Sequence, residues 1–254
     1  MTTRHDHKPL AGWQVLVPRG GEWGNSIAAT LRKNGAVPVV APMINFASTE
    51  NAQDLAVSLA RLESGDFEWL VVTSSTTVDV LVGHGVRLPA TTRVAAVGES
   101  TTSALTLAGY RVDLVPAKDN SSRGLVKEWH SAAPVGKVLV PQSEDSDDVL
   151  RSGLAELTID AEFVTAYRTV GVRVAQEVAQ NVASGKIRGI LITSGSVARQ
   201  IQLQFAPLPS DTVVAAIGPR TAFDARAVGI RVDVIAEART ADALVEALID
   251  SVVK

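Results

Sequence analysis

Four hydroxyl-rich turns carry the residue types most able to do chemistry, and they come as two matched pairs. Thr73-Ser74-Ser75-Thr76-Thr77 closes the apolar run Trp69-Leu-Val-Val, and Thr193-Ser194-Gly195-Ser196 closes Gly189-Ile-Leu-Ile. Gly98-Glu-Ser-Thr101 follows Val94-Ala-Ala-Val in the same way that Gly218-Pro219-Arg-Thr221 follows Val214-Ala-Ala-Ile. A hydroxyl between a strand and a helix can cap the helix, and it can also donate to a carboxylate or phosphate held at the positive end of the helix dipole. Capping alone is the simpler reading of any one of these residues. Four turns in two pairs point to a site for an anion. Arg19, in Pro18-Arg19-Gly20-Gly21 after the first strand, offers a cation for the same purpose, with a solvated loop arginine as the plain alternative.

Tyr167 is one of only two tyrosines. Its phenol can donate a hydrogen bond or a proton to a departing hydroxyl, or it can simply pack at a domain boundary. The acidic run Glu144-Asp-Ser-Asp-Asp148 could suggest a metal, but acids before a helix complement its dipole and face water, which is the better reading. His5, His7, His84 and His130 are scattered and there is no cysteine, so neither a metal site nor thiolate chemistry is expected. No Walker loop and no Gly-x-Gly-x-x-Gly occurs, which removes the best evidence for a nucleotide. The four tryptophans, Trp13, Trp23, Trp69 and Trp129, read as core or boundary residues.

The elements that must position these turns are themselves duplicated. Residues 73 and 193, like 98 and 218, stand 120 apart, and the echo continues through Gly109-Tyr-Arg-Val-Asp113 and Gly229-Ile-Arg-Val-Asp233. Val15-Leu-Val-Pro18 resembles Val138-Leu-Val-Pro141 at a slightly larger shift of 123. Short β-branched runs alternate with helical patterns throughout, the signature of parallel sheets flanked by helices. Strands are expected at 15–17, 37–40, 70–73, 94–97, 112–115, 138–140, 162–164, 190–193, 213–217 and 232–235, five for each unit. Expected helices include 26–33, 52–62, 100–108, 148–157, 175–183, 220–228 and 241–252, with Gly35, Gly109 and Gly229 ending three of them. The fold class is therefore α/β, with two similar parallel-sheet domains and a ligand cleft expected between them. Two divisions of the chain fit the repeat: halves in sequence order, or one domain interrupted by the other. The extended segments 41–46 and 163–169 would then be the crossings, and side by side they would form a two-stranded hinge.

Composition sets the remaining bounds. The chain has 254 residues, 46% hydrophobic and 20% charged, enough for two modest cores. No apolar stretch approaches the length of a membrane span, and the polar opening Met1-Thr-Thr-Arg-His-Asp-His lacks the order of a signal peptide, so a cytoplasmic protein is expected. The net charge of −3 argues against bulk attraction to nucleic acid or an anionic membrane. Nothing demands more than a monomer.

Taken in order, the paired strand-Thr-Ser turns, the two Val-Ala-Ala-x-Gly motifs, Pro18-Arg19 and the central Tyr167-Arg-Thr169 resemble the uroporphyrinogen-III synthase family over nearly the whole chain. The resemblance implies a first domain made of 1–42 and 170–254, a second domain, 47–163, inserted within it, and hinge segments 41–46 and 163–169. It implies a cofactor-free closure of linear hydroxymethylbilane to uroporphyrinogen III, with the last pyrrole ring inverted through a spiro intermediate. Tyr167 matches the tyrosine assigned to help the hydroxyl depart. Arg19, Thr73, Ser74, Ser75, Gly98, Thr101, Thr193, Ser194, Gly195, Ser196, Gly218, Pro219 and Thr221 match or adjoin positions that would line the substrate site. Because the free bilane closes unaided to the wrong isomer, the chief task would be to hold a flexible polyanion in one geometry. A transient contact with the preceding pathway enzyme would suit so unstable a substrate. The sequence departs from the family at Gln142, where arginine is usual, and at Glu162, before which a glycine is usual. The alternative function is a two-lobed anion-binding or sensory module of the same fold without activity.

Overall fold

The computed structural model describes residues 8–132 and 136–253; His5 and His7 lie outside them. In chain order the first elements are β1 (Gln14–Val17), α1 (Gly21–Lys33), β2 (Val37–Val40), β3 (Ile44–Ser48), α2 (Ala52–Glu63), β4 (Trp69–Val72) and α3 (Ser75–Gly83). There follow β5 (Arg93–Ala96), α4 (Glu99–Leu107), α5 (Ser122–Ala132), β6 (Val138–Ser143), α6 (Val149–Glu156) and β7 (Ala161–Gly171). The chain finishes with α7 (Gln176–Ala183), β8 (Ile187–Ile192), α8 (Gly195–Phe205), β9 (Val213–Ala216), α9 (Pro219–Ala227), β10 (Val234–Ile235) and α10 (Ala241–Val253).

Two compact units result. One runs up to Asn45 and resumes at Val170; the other is Phe46–Thr169. The first holds a sheet in the order β10-β9-β8-β1-β2, and the second sheet has the order β3-β7-β6-β4-β5. Strands buried on both faces by helices read as continuous β-branched runs, and Val15, Leu16, Val17, Leu70, Val71 and Val72 are all 0% exposed. In the first sheet, side chains alternate between a layer with Leu16, Ile190 and Val214 and a layer with Val15, Leu191 and Ala215. In the second, Leu70, Leu139 and Ala96 face one layer, and Val71, Val140 and Ala95 the other.

The strands pair in parallel: β1 with β2 and β8, β8 with β9, β9 with β10, β4 with β5 and β6, and β6 with β7. Parallel pairing puts the carboxyl ends of all these strands on one edge of each sheet, where the turns lead into helices. The positive φ of Gly35, Gly109 and Gly229 lets the chain leave α1, α4 and α9 in the left-handed conformation.

The duplication reaches individual hydrogen bonds. Thr92 Oγ1 donates to the Phe67 carbonyl at 2.9 Å, and Thr212 Oγ1 to the Ile187 carbonyl at 3.3 Å. Val94 N–H donates to the Asp113 carboxylate at 3.0 Å, and Val214 N–H to that of Asp233 at 2.8 Å. Arg111 and Arg231 flank these acids at 3.0 and 2.7 Å.

That carboxylate also explains two corrections to the expected strands. The run 112–115 is not a strand but a single bridge between Leu114 and Ala95, and 232–235 shrinks to Val234–Ile235. In each copy the aspartate side chain takes an N–H that a backbone carbonyl would otherwise pair. The crossing segments also differ from simple connectors. Only 44–46 of the first are strand, the start of β3, and 163–169 lies within the 11-residue β7, an inner strand of the second sheet. Glu162 fastens β7 to α2, accepting from Ser58 Oγ and Arg61 Nη1, both at 2.8 Å, with Lys137 Nζ at 3.9 Å.

Candidate functional site

In the unit Phe46–Thr169 the turn after β4 begins with an extended Ser74 (φ −149°, ψ 147°). Its Oγ accepts the Thr77 N–H at 3.1 Å and so caps α3, which satisfies one of the donors that a helix start leaves open. The same oxygen lies 2.9 Å from Thr77 Oγ1 and 3.0 Å from the phenol oxygen of Tyr167. Thr77 is wholly buried, and its hydroxyl lies 3.5 Å from the Pro141 carbonyl on β6. The end of β4 is thereby tied by hydroxyl groups to the neighbouring strands β6 and β7.

Tyr167 is only 7% exposed. The Phe46 ring meets it edge to face, centroids 5.4 Å apart at 82°. Both rings line a hollow of about 550 Å³, together with Thr76, Asp79, His84 and Ala166 among others. The residue is thus both a packed core side chain and a lining group, so the two readings offered by its type coexist. A second hollow, of about 920 Å³, lies at the other end of β5 around Arg93, Tyr110 and Arg111. Of these two hollows, only the first is lined by a residue of a hydroxyl-bearing turn, Thr76.

Thr73 and Ser75 share the Ser74 turn, and Gly98 with Thr101 occupies the tip of adjacent β5. Gly98 takes φ +94°, a conformation that favours glycine, and its N–H is spent on Asn120 Oδ1 at 2.7 Å. Thr101 is 2% exposed. Gln142 continues β6, while Glu144, Asp145, Asp147 and Asp148 after it are exposed.

In the other unit the equivalent turn follows β8. Ser194 Oγ accepts the Val197 N–H at 3.2 Å and caps α8, matching Ser74. Thr193 is 7% exposed, and its Oγ1 is buried without a hydrogen-bond partner among the described residues. Gly195 sits in a crowded place: a Cβ there would come within 2.8 Å of the Asp224 carboxylate, which would have to shift. Ser196 Oγ accepts from Arg199 at 3.0 Å. Gly218 is extended (φ 176°), unlike its counterpart Gly98, and Pro219 opens α9, where no N–H is needed. Thr221 is 5% exposed.

Arg19 follows β1. Its guanidinium lies 5.4 Å over the Trp23 ring, and partial burial lowers its pKa. No carboxylate lies within ion-pair distance of it among the described residues. Gly24 allows this turn, since a Cβ would sit 2.1 Å from the Arg19 carbonyl oxygen.

The residues singled out in sequence therefore form two groups, one at the carboxyl edge of each sheet. Ser74 and Ser194 are caps in fact, and the first also holds Tyr167. Sequence reasoning gave no role to Thr77, Phe46 or Asn120. Thr77 ends a hydroxyl-rich turn and Phe46 an extended segment, neither with a partner visible in sequence, and nothing around Asn120 announces its bond to Gly98. No set of three or more His, Asp or Glu suited to a metal occurs among the described residues, and no described helix is long and apolar enough to cross a membrane.

The family model described as "Uroporphyrinogen-III synthase HemD" matches residues 25–246. A porphyrin biosynthesis protein HemD of Ruminiclostridium josui is 24% identical over 251 residues, 96% of this chain and 49% of that protein. This chain thus spans about half the length of that relative. A uroporphyrinogen-III synthase of Synechococcus elongatus is 24% identical over 259 residues, covering 95% of this chain and 96% of the relative. Among solved structures, the uroporphyrinogen-III synthetase of Helicobacter pylori superposes with a TM-score of 0.66 at 16% identity, covering 94% and 99% of the two chains. A mutant uroporphyrinogen III synthase of Thermus thermophilus gives 0.62 at 16% identity over 95% and 98%. At that identity these likenesses establish the α/β fold.

Proposed function

We propose that this chain, which belongs to the uroporphyrinogen-III synthase family, closes hydroxymethylbilane into uroporphyrinogen III. The observation that carries the reading is the Tyr167 hydroxyl, held 3.0 Å from Ser74 Oγ where a 550 Å³ hollow meets the strand ends. In the reaction the terminal hydroxyl of the bilane leaves as water, taking a proton from the Tyr167 O–H, and the ring it leaves becomes an electrophilic azafulvene. The substituted carbon of the far pyrrole attacks that carbon and gives a spiro intermediate. Cleavage of the older bond to that pyrrole and reclosure at its other α-carbon invert the ring, and loss of a proton restores aromaticity. No electrons enter or leave, and no cofactor is needed.

Binding in this reading falls to the strand-end turns. Arg19, Thr73, Ser75 and Ser196 would meet the acetate and propionate arms through side chains, the buried Thr101, Thr193 and Thr221 would shape their turns, and Gly195, Gly218 and Pro219 would let the substrate approach the backbone. Ser74 would serve Tyr167 first, because its oxygen is already engaged by α3. Gly98 would shape its turn, since its N–H is committed to Asn120.

The protein would act in the cytoplasm as a monomer, without nucleic acid or membrane, taking its unstable substrate from the enzyme before it. The units 1–45 with 170–254, and 46–169, would correspond to an interrupted domain and an inserted one. Incubation with freshly prepared hydroxymethylbilane, followed by separation of the isomers, tests the reading. Isomer III is expected; isomer I alone would refute it.

A further inference from the structure

The first sheet carries arginines along its carboxyl edge at three positions whose duplicates in the second carry none. Its strands run in the order β10-β9-β8-β1-β2, and the pairings from β10 through β9, β8 and β1 to β2 are all parallel. The segments that leave the carboxyl ends therefore form a row: Arg239 beyond β10, Arg220 beyond β9, Thr193 and Ser194 beyond β8, and Arg19 beyond β1. With strands roughly 4.8 Å apart, this row spans on the order of 14 Å from β10 to β1.

Each member is held differently. Arg239 lays its Cγ 3.5 Å and its Cδ 3.8 Å from where a Gly218 Cβ would stand, so its stem runs across the start of α9. Arg220 Nε pairs with Asp224 at 3.0 Å, yet its side chain remains 71% exposed. Arg19 is partly desolvated over Trp23. Between them lies the buried hydroxyl of Thr193, without a hydrogen-bond partner among the described residues.

The other half of the chain serves as an internal control. The duplicate of Arg220, 120 residues earlier, is Ser100; that of Arg239 is Asp119; and Gln142 stands 123 residues after Arg19. Glu99 occupies the position matching Pro219. The second unit builds the same strand-turn-helix units without these cations, so the architecture does not require them. Guanidinium groups are suited to bidentate capture of carboxylates, and three along one edge match a ligand with several acid arms.

We propose that Arg220 and Arg239 are substrate-carboxylate receptors at the carboxyl edge of the first sheet. The inference rests on the proposed reaction for the identity of the acid-bearing ligand. Its test uses the full chain and uroporphyrin I, a stable octacarboxylate, titrated by fluorescence at low and moderate salt.

The single variants Arg220→Gln and Arg239→Gln should each weaken binding roughly tenfold and flatten its salt dependence, the double variant more so. Arg220→Lys and Arg239→Lys should restore a good part of it, which a merely unfolded variant could not. In the bilane assay KM should rise with kcat nearly unchanged, and Asp119→Asn should not weaken binding. Wild-type affinity in the Arg220→Gln, Arg239→Gln double variant would overturn the inference while leaving the proposed reaction standing. Failure of the wild-type chain to bind the octacarboxylate, together with no isomer III from bilane, would overturn both.

Discussion

The phenol oxygen of Tyr167 lies 3.0 Å from Ser74 Oγ, a contact between residues 93 positions apart that joins the end of β4 to the middle of β7. Ser74 already accepts the Thr77 N–H, so its remaining lone pair and its proton fix where the phenol can stand. One side chain thus ends a strand, starts a helix and orients the group assigned to proton donation.

Tyr167→Phe keeps the ring that packs on Phe46 and removes only the hydroxyl. It should cost at most about 1 kcal/mol of stability and slow turnover on the order of 100-fold. Chemical denaturation beside single-turnover kinetics separates the two effects. An unchanged rate would leave Tyr167 as a packing residue alone.

Ser74→Ala should invert that balance. Loss of the α3 cap is worth about 1 kcal/mol, and a freed phenol retains its proton, so stability falls more than in Tyr167→Phe and rate falls less. Ser194→Ala, which removes the matching cap of α8, should cost a similar amount. Melting curves of the two serine variants give the comparison.

The paired aspartates supply a further check. Asp113 and Asp233 side chains are 17% and 29% exposed and each accepts a strand N–H, whereas Arg111 is 90% exposed. Asp113→Ala and Asp233→Ala should each lose about 1–2 kcal/mol, and Arg111→Ala under about 0.5 kcal/mol. The aspartates lie in different units, so in the double variant the losses should add.

Glu162 makes stability depend on pH. Burial alone would raise its carboxyl, but hydrogen bonds from Ser58 and Arg61 and the charges of Arg61 and Lys137 outweigh this and hold it below the ordinary carboxylate range. A group depressed in the folded state stabilises fully above its unfolded pKa, about 4.3 for glutamate, and loses that contribution as pH falls through the folded value. Glu162→Gln should therefore be less stable than wild type at pH 7, with the gap closing below about pH 4. Thermal melts across pH 3 to 7 would reveal a constant gap if the bonds do not matter.

Much of the fold was legible because a duplicated chain states its own register. The shift of 120 residues between Thr73 and Thr193 aligned β4 with β8 and β5 with β9, and the Gly-x-Arg-Val-Asp echo marked the aspartates before their role was visible. What failed was local: 112–115 has the β-branched pattern of a strand, but the Asp113 carboxylate takes the Val94 N–H. The site was legible as residue types and not as contacts. Ser74 and Ser194 look alike in sequence, yet only Ser74 meets a tyrosine, since β7 brings Tyr167 to it from far along the chain. Gly98 and Gly218 share a motif and differ in backbone, one left-handed and one extended, which no spacing could disclose.

The account turns on whether this chain directs ring closure with the Tyr167 proton. The direct measurement is the time course of isomers I and III formed from fresh hydroxymethylbilane by wild type, by Tyr167→Phe and in buffer alone. The account predicts rapid formation of isomer III by wild type, slowed on the order of 100-fold in Tyr167→Phe, against isomer I in buffer. Isomer I from wild type, at the rate seen in buffer, would contradict it.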